Sequence, residues 1–320
     1  TVRSAGEGRY SRQIPIIGED GQERLRKSSV AIVGLGGIGS PLSLLVTAAG
    51  VGRIRLVDWD LVELSNLNRQ LLYTSRDLLR PKPFVAAERL SLLNPGVEIE
   101  VIHEPVVPGN ADSIVRGVDL VLDALDNFEG RVTLGDACQR AGVPHTYAAV
   151  QGLFGLVTLI IPGETPCIRC ILPEKPKTEP VFTIGPVPSL VASVSASEAI
   201  KYLSGRGPSL AGKMLMVDLS SASFEFIDLS GECPHRPPEP APRPAYFRRG
   251  DRLYVFEADP SGWERLARRG WSVVEESDAY VRLVGRGSIA VFYSDGGALL
   301  AGSSGEEDFR EAVGGDLEGL

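Results

Sequence analysis

Cysteine is scarce in this chain, with four in 320 residues, which is too few for a disulfide scaffold. Long apolar runs are missing, and none approaches the roughly 18 uninterrupted residues a membrane span needs. The segment TVRSAGEGRYSRQ at the start lacks the apolar core of a secretory signal, so the expectation is a soluble, cytoplasmic protein with no membrane partner. An excess of positive charge is missing too. The formal net charge of −8 argues against generic nucleic-acid binding, although a local basic groove for phosphates is compatible with an acidic surface. What remains is an ordinary globular composition, 43% hydrophobic and 23% charged, enough for one large domain or two modest ones.

The apolar run SVAIV (29–33) breaks at GLGGIG and resumes as a helical pattern over 38–49. That is strand, tight turn, helix. Further strands are expected at 54–57, 98–103, 119–125 and 143–147, with helices at 84–93 and 131–141 between them. Strands alternating with helices predict an α/β, doubly wound, mostly parallel Rossmann-like sheet. After residue 150 the spacing of 156–161, 214–218 and 224–228 reads as an antiparallel extension, with one helix at 190–203. The stretch CPHRPPEPAPRP (233–244) has six prolines in twelve residues and should be extended. The expected organisation is a first domain at 1–236, a linker at 237–246 and a small α+β domain at 247–320. In the last, strands are expected at 253–257, 281–283 and 289–293, a turn at Asp295-Gly296, and a capping box of Ser304 with Glu307 before a final helix.

Gly34-x-Gly36-x-x-Gly39 follows a strand and opens a helix, where glycines let backbone approach phosphates and the helix N-terminus faces negative charge. Asp58 stands 19 residues after Gly39 at the end of the second strand, where a carboxylate can bind both ribose hydroxyls. Together these point to an adenosine nucleotide, either a dinucleotide for hydride transfer or ATP for group transfer. The segment DWDLVELSNLNRQ (58–70), with Asn66, Arg69 and Gln70, then Lys82 in a Pro-Lys-Pro context that should delay the next helix until after it, favours ATP. A dehydrogenase has no need of Arg and Lys converging on a third phosphate. The strand VDLVLDALDN (118–127) ends at Asp126-Asn127, where a carboxylate facing a polyphosphate can hold Mg²⁺.

GRYSRQ (8–13), GLGGIGS (34–40), LVDWDLVELSNLNRQ (56–70), PK (81–82), LDALDN (122–127), PCIRC (166–170) and SEAIKYLSG (197–205), in this order, resemble the MoeB/ThiF adenylating enzymes, relatives of the ubiquitin-activating enzymes. The resemblance covers residues 8–236. It implies ATP-dependent adenylation of the C-terminal carboxylate of a small ubiquitin-like protein ending in Gly-Gly. Asp58 would bind ribose, Asn66, Arg69 and Lys82 the phosphates, and Asp126 Mg²⁺, with Asn127 beside it. It also implies a homodimer in which Arg12 reaches the nucleotide of the other subunit. A carboxylate is already ionised at pH 7 and needs no general base, which agrees with the lack of a histidine near these motifs; His103 and His145 read as structural, and Cys138 as core.

Cys167-x-x-Cys170 has the spacing of a structural zinc knuckle. The family pattern adds a second C-P-x-C pair, which reads here Cys233-Pro234-His235-Arg236. Arg236 stands where the fourth cysteine is expected, so the zinc reading requires three cysteines and His235. Buried thiols without metal, or a redox pair of Cys167 and Cys170, are the alternatives, the redox reading weakened by an extended context around PCIRC. Many relatives carry a catalytic or sulfur-carrying cysteine on the loop before the helix containing EAIK. The loop EKPKTEPVFTIGPVP (174–188) has none, and Thr178 falls near that position, so the reaction should stop at the adenylate. Other readings kept open are a nicotinamide-dependent oxidoreductase, a non-catalytic binding module, and adenylation of a small-molecule or tRNA-borne carboxylate. The last domain lacks cysteine and is no active rhodanese.

Overall fold

A computed structural model describes residues 8–172, 174, 182–231 and 233–314. Two compact units, Thr1–Ala241 and Pro242–Leu320, make up the chain.

The first unit runs α1 (Ile14–Lys27), β1 (Ser29–Val33), α2 (Gly39–Ala49), β2 (Arg53–Val57), α3 (Lys82–Leu93), β3 (Glu98–Ile102), α4 (Ala111–Val115), β4 (Leu120–Asp123), α5 (Phe128–Ala141) and β5 (His145–Gln151). It continues with β6 (Phe154–Ile160), α6 (Ile168–Ile171), α7 (Pro186–Leu203), β7 (Lys213–Asp218) and β8 (Ser223–Asp228). The eight strands lie in the order β3-β2-β1-β4-β5-β6-β7-β8. The first five are parallel, and β6, β7 and β8 extend the sheet antiparallel.

Alternate residues of β1 serve opposite faces, as a strand's period of two requires. Val30 and Ile32 enter one core layer with Leu25, Leu42, Ile54 and Leu56. Ala31 and Val33 enter the other with Ile114, Leu134 and Cys138. Because both faces are covered, the strand reads as an unbroken apolar run rather than an alternating one. Full burial of each large aliphatic side chain contributes roughly 1.5–3 kcal/mol. Between β1 and β4 the strand order reverses direction, and a crevice opens beyond the carboxyl ends of the strands at that point. Val33 is level with Val57 on one side and with Asp123 on the other, so the turns after β1, β2 and β4 all empty into it.

The second unit holds β9 (Tyr246–Arg249), β10 (Arg252–Val255), α8 (Gly262–Arg268), β11 (Ser272–Glu276), β12 (Tyr280–Gly285), β13 (Ser288–Tyr293), β14 (Ala298–Ala301) and α9 (Glu306–Val313). Its antiparallel sheet runs β11-β12-β13-β14-β10-β9, with Trp271, Phe292 and Phe309 in its core.

Three local expectations differ from what is found. Lys82 is the first residue of α3 rather than its forerunner, since extended Pro81 provides the N-cap and Pro83 fits the first turn, where a missing N–H is no loss. The capping box at the last helix does not form. Gly305 is the N-cap there, in the left-handed region at φ +82, and the Ser304 carbonyl instead accepts the Ser288 hydroxyl. Residues 168–171 form one helical turn with Cys167 as its N-cap, not extended chain, because the Cys170 and Ile171 N–H groups both close onto the Cys167 carbonyl.

Candidate nucleotide site and metal centre

At the switch point two glycines are dictated by space. Gly34 has φ +92, and a Cβ on it would lie 2.6 Å from the Ala124 carbonyl oxygen. A Cβ on Gly39 would lie 1.8 Å from the Gly34 carbonyl oxygen. These contacts let α2 start directly against β1 and β4. Gly36 differs: a Cβ there would meet only Gln70 Nε2, at 3.7 Å. The room above its backbone is a cradle of the kind a phosphate uses, beside a helix whose N-cap, Ile38, makes no side-chain hydrogen bond to the first turn.

Asp58 clamps the turn. Its Oδ2 accepts the Leu35 N–H at 2.7 Å and its Oδ1 the Asp60 N–H at 2.7 Å. It is only 8% exposed. Burial pushes its carboxyl above the usual carboxylate range, against the opposing pull of Lys82. Each oxygen keeps a second acceptor site, which suits a ribose diol. The Tyr73 hydroxyl donates to the Leu35 carbonyl at 3.0 Å, holding the turn from the other side. Nothing in the glycine fingerprint marks Tyr73.

Lys82 is 4% exposed, and its Nζ lies 3.1 Å from Asp60 Oδ2. Two acids and then a cation, Asp58, Asp60 and Lys82, thus follow one another from the glycine turn. Asp60 escaped the sequence reading, although the acid repeated at the third residue of DWD was its signal. Asn66 is buried, and its Oδ1 accepts the Glu63 N–H at 3.1 Å. Arg69 donates from Nη1 to the Ser65 carbonyl at 2.8 Å and to Asn68 Oδ1 at 3.0 Å. Its stem passes 3.6 Å from where a Gly37 Cβ would stand, which brings Arg69 to the glycine turn. Gln70 is buried, and its Oε1 has no hydrogen-bond partner among the described residues.

Beyond β4 the two acids of LDALDN part company. Asp123 is buried and paired with Arg131 at 3.1 Å, its carboxyl raised by that burial. Asp126 is exposed, on the link to α5. Asn127 caps α5 by accepting the Gly130 N–H at 2.7 Å. Arg12, exposed ahead of α1, stands apart from all of these. Its neighbour Gln13 donates to the Ala49 carbonyl at the far end of α2, some 15 Å of helix from Gly39.

The second cluster joins Cys167 and Cys170 to Cys233 and His235, whose ligand atoms all lie within 4.8 Å of one another. The sulfurs of Cys167 and Cys170, and of Cys170 and Cys233, are 3.8 Å apart. Nδ1 of His235 is 3.6 Å from Cys167 Sγ and 3.3 Å from Cys170 Sγ. A tetrahedron with ordinary Zn–S and Zn–N bonds has S–S edges of about 3.8 Å and S–N edges of about 3.6 Å. These residues fit zinc. Arg236 is exposed and outside the cluster. The His235 segment is pinned to α5, where Gln139 donates to the His235 carbonyl at 3.1 Å and Arg140 to that of Pro238 at 2.7 Å. Burial pushes the Cys167 thiol up to about 12, the reverse of the depressed thiol a redox pair uses. Burial alone would also raise Cys233, but hydrogen bonding to Cys167 brings it to about 7. Thr178 lies outside the described residues.

The model of the ThiF family matches residues 10–235. The chain belongs to the ThiF family. Among its relatives, the sulfur carrier protein adenylyltransferase of Thermus thermophilus is 41% identical, across 73% of this chain and 92% of that protein. The SAMP-activating enzyme E1 of Haloferax volcanii is 37% identical, across 71% and 87%. The crystal structure of E. coli MccB with MccA-N7isoASN superposes with a TM-score of 0.64 at 23% identity, covering 71% of this chain and 72% of that one, a likeness of fold. This ThiF family member has no helix, among its described residues, long and apolar enough to cross a membrane.

Proposed function

We propose that this adenylyltransferase activates the C-terminal carboxylate of a small ubiquitin-like or sulfur-carrier protein ending in Gly-Gly, consuming ATP and releasing pyrophosphate. The observation that carries the reading is the line from Asp58 through Asp60 to Lys82, with Arg69 beside the same glycine turn. Asp58 is placed for a diol, while Arg69 at the glycine turn and Lys82 beyond Asp60 are cations suited to phosphates, the two kinds of charge ATP calls for. The names of the Thermus and Haloferax relatives support the partner class.

The partner's carboxylate oxygen attacks the α-phosphorus of ATP. The new acyl–phosphate bond forms as the α–β phosphoanhydride breaks, and pyrophosphate leaves. The nucleophile is ionised at pH 7, so no proton has to be removed. Arg69 and Lys82 stabilise charge growing on the departing phosphates, the Gly36 turn and the α2 N-terminus seat the phosphate chain, and Asp58 holds the ribose, with Asn66 and Asn127 beside them. Asp123 is spent on Arg131, which leaves Asp126 as the carboxylate of LDALDN for Mg²⁺; the ion supplies neutralisation of the triphosphate when bound. Zn²⁺ in the Cys₃His cluster is structural. Arg12, remote from the glycine turn of its own chain, acts on the nucleotide of the partner subunit in a homodimer. No cysteine stands in residues 174–188, so the product is the acyl-adenylate, passed on to a separate acceptor.

An oxidoreductase would use the glycine turn and Asp58 equally well but leaves Arg69 and Lys82 without a task. The test is ATP–pyrophosphate exchange with Mg²⁺ and candidate small proteins ending in Gly-Gly, with Asp126→Ala as control. Exchange that needs both partner and Asp126 is the expected result. No exchange with any candidate, together with tighter binding of NAD than of Mg-ATP in calorimetry, would sink the proposal.

A further inference from the structure

Arg131 projects from the first turn of α5 and is 7% exposed. Its guanidinium makes four contacts around the carboxyl end of β4 and the neighbouring β5. Nη1 pairs with Asp123 Oδ2 at 3.1 Å, Nη2 donates to the carbonyls of Leu125 and, at 2.7 Å, of Ala148 on β5, and the group sits 4.8 Å from the centre of the Tyr147 ring. The other Asp123 oxygen accepts the Leu125 N–H at 2.9 Å. Leu125 is therefore gripped at both its N–H and its C=O by one ion pair. The next residue is Asp126, and Asn127 after it is fixed as the cap of α5.

A buried ion pair is a poor way to gain stability, since apolar residues of similar volume often do as well or better. A loop that must present a carboxylate within a fraction of an ångström does need such fixing. We propose that Arg131, braced by Asp123, is the positioning residue for Asp126: it sets the height and direction of the loop over which the metal–phosphate end of the nucleotide lies. The inference rests on Asp126 being the carboxylate for Mg²⁺.

The test uses the full chain with Arg131→Lys, Asp123→Asn and Asp126→Asn. Hydrogen exchange of the nucleotide-free protein reads the loop directly, and calorimetry of ATP binding at graded Mg²⁺ reads its consequence. Arg131→Lys and Asp123→Asn are expected to speed exchange of the amides at 125–127 while β1 and α2 keep their protection, and to raise the Mg²⁺ needed for half-maximal ATP binding about tenfold, the scale of lost support around a metal ligand. ATP binding without Mg²⁺ should not change. General destabilisation would speed exchange everywhere and leave the Mg²⁺ requirement of the folded fraction where it was. If Asp126→Asn shifts the Mg²⁺ dependence and neither other variant does, the positioning role is wrong and the Asp126 reading survives. If Asp126→Asn shifts nothing, both fall. Should Arg131→Lys fail to fold, Asp123→Asn, which keeps the volume and removes the charge, decides alone.

Discussion

Stripping metal from the Cys₃His cluster should cost this protein a measurable part of its stability. The cluster joins Cys167 to His235, 68 residues further along the chain. With the metal treated as a cross-link on a loop of that length, the unfolded chain loses entropy worth about 4 kcal/mol at 25 °C. In a unit of this size each kcal/mol moves the melting temperature by roughly 2–4 °C, so chelation should lower it by about 8–16 °C. Elemental analysis of the purified protein should find one zinc per chain, and scanning calorimetry with and without a strong chelator should show the drop. His235→Ala should give much of the same loss without chelator, because three thiolates with no fourth partner cannot close the tetrahedron described by the 3.3–3.8 Å spacings. Protein containing no metal, or a chelator shift below about 2 °C, would refute the reasoning.

Gly39→Ala should abolish nucleotide binding and cost roughly 1–3 kcal/mol or more, since its Cβ would stand 1.8 Å from the Gly34 carbonyl oxygen and backbone has to move; ATP titration and denaturant melts check both. Lys82→Ala should reduce ATP–pyrophosphate exchange by about 10²–10³-fold, with Asp58 still binding adenosine; an exchange rate near wild type would remove Lys82 from the mechanism. His145 is 2% exposed, and burial lowers its pKa from 6.5 to about 4. The unfolded chain therefore binds the proton more readily. The stability this group provides is complete above pH 6.5 and is lost as the pH falls towards 4, by about 3 kcal/mol; His145→Gln should flatten that part of a stability-against-pH curve.

How much could be read beforehand depended on how locally each feature is encoded. The strand–glycine–helix opening needs only residues 29–49, and Gly34 and Gly39 are forced by contacts within that stretch and with Ala124, so it stood out. The apolar runs of β1 and β4 were equally plain, because burial on both faces removes alternation. Tyr73, Asp60 and Arg131 were passed over for the opposite reason. Each acts through a partner that the chain places elsewhere, Leu35, Lys82 and Ala148 respectively, and a single tyrosine, aspartate or arginine has no periodicity to betray it. LDALDN offered two carboxylates, of which Asp126 was read as the one for Mg²⁺, and the pairing of buried Asp123 with Arg131 shows a separate role for the first. In the second unit β9, β11, β14 and α8 were missed; β9 and β11 keep much of their length exposed and so show no apolar run.

The chain order of these parts has a consequence on the ribosome. Apart from Arg12, the residues assigned to the nucleotide all fall between Gly34 and Asn127, while His235 is made 108 residues after Asn127. At synthesis rates of about 5–20 residues per second, that interval lasts about 5–20 s. Ala148, whose carbonyl Arg131 clasps, arrives within it, and the thiols of Cys167 and Cys170 wait for their last two companions until its end. A nascent chain thus emerges with its nucleotide strands made first, its acidic loop next and its Cys₃His cluster completed last.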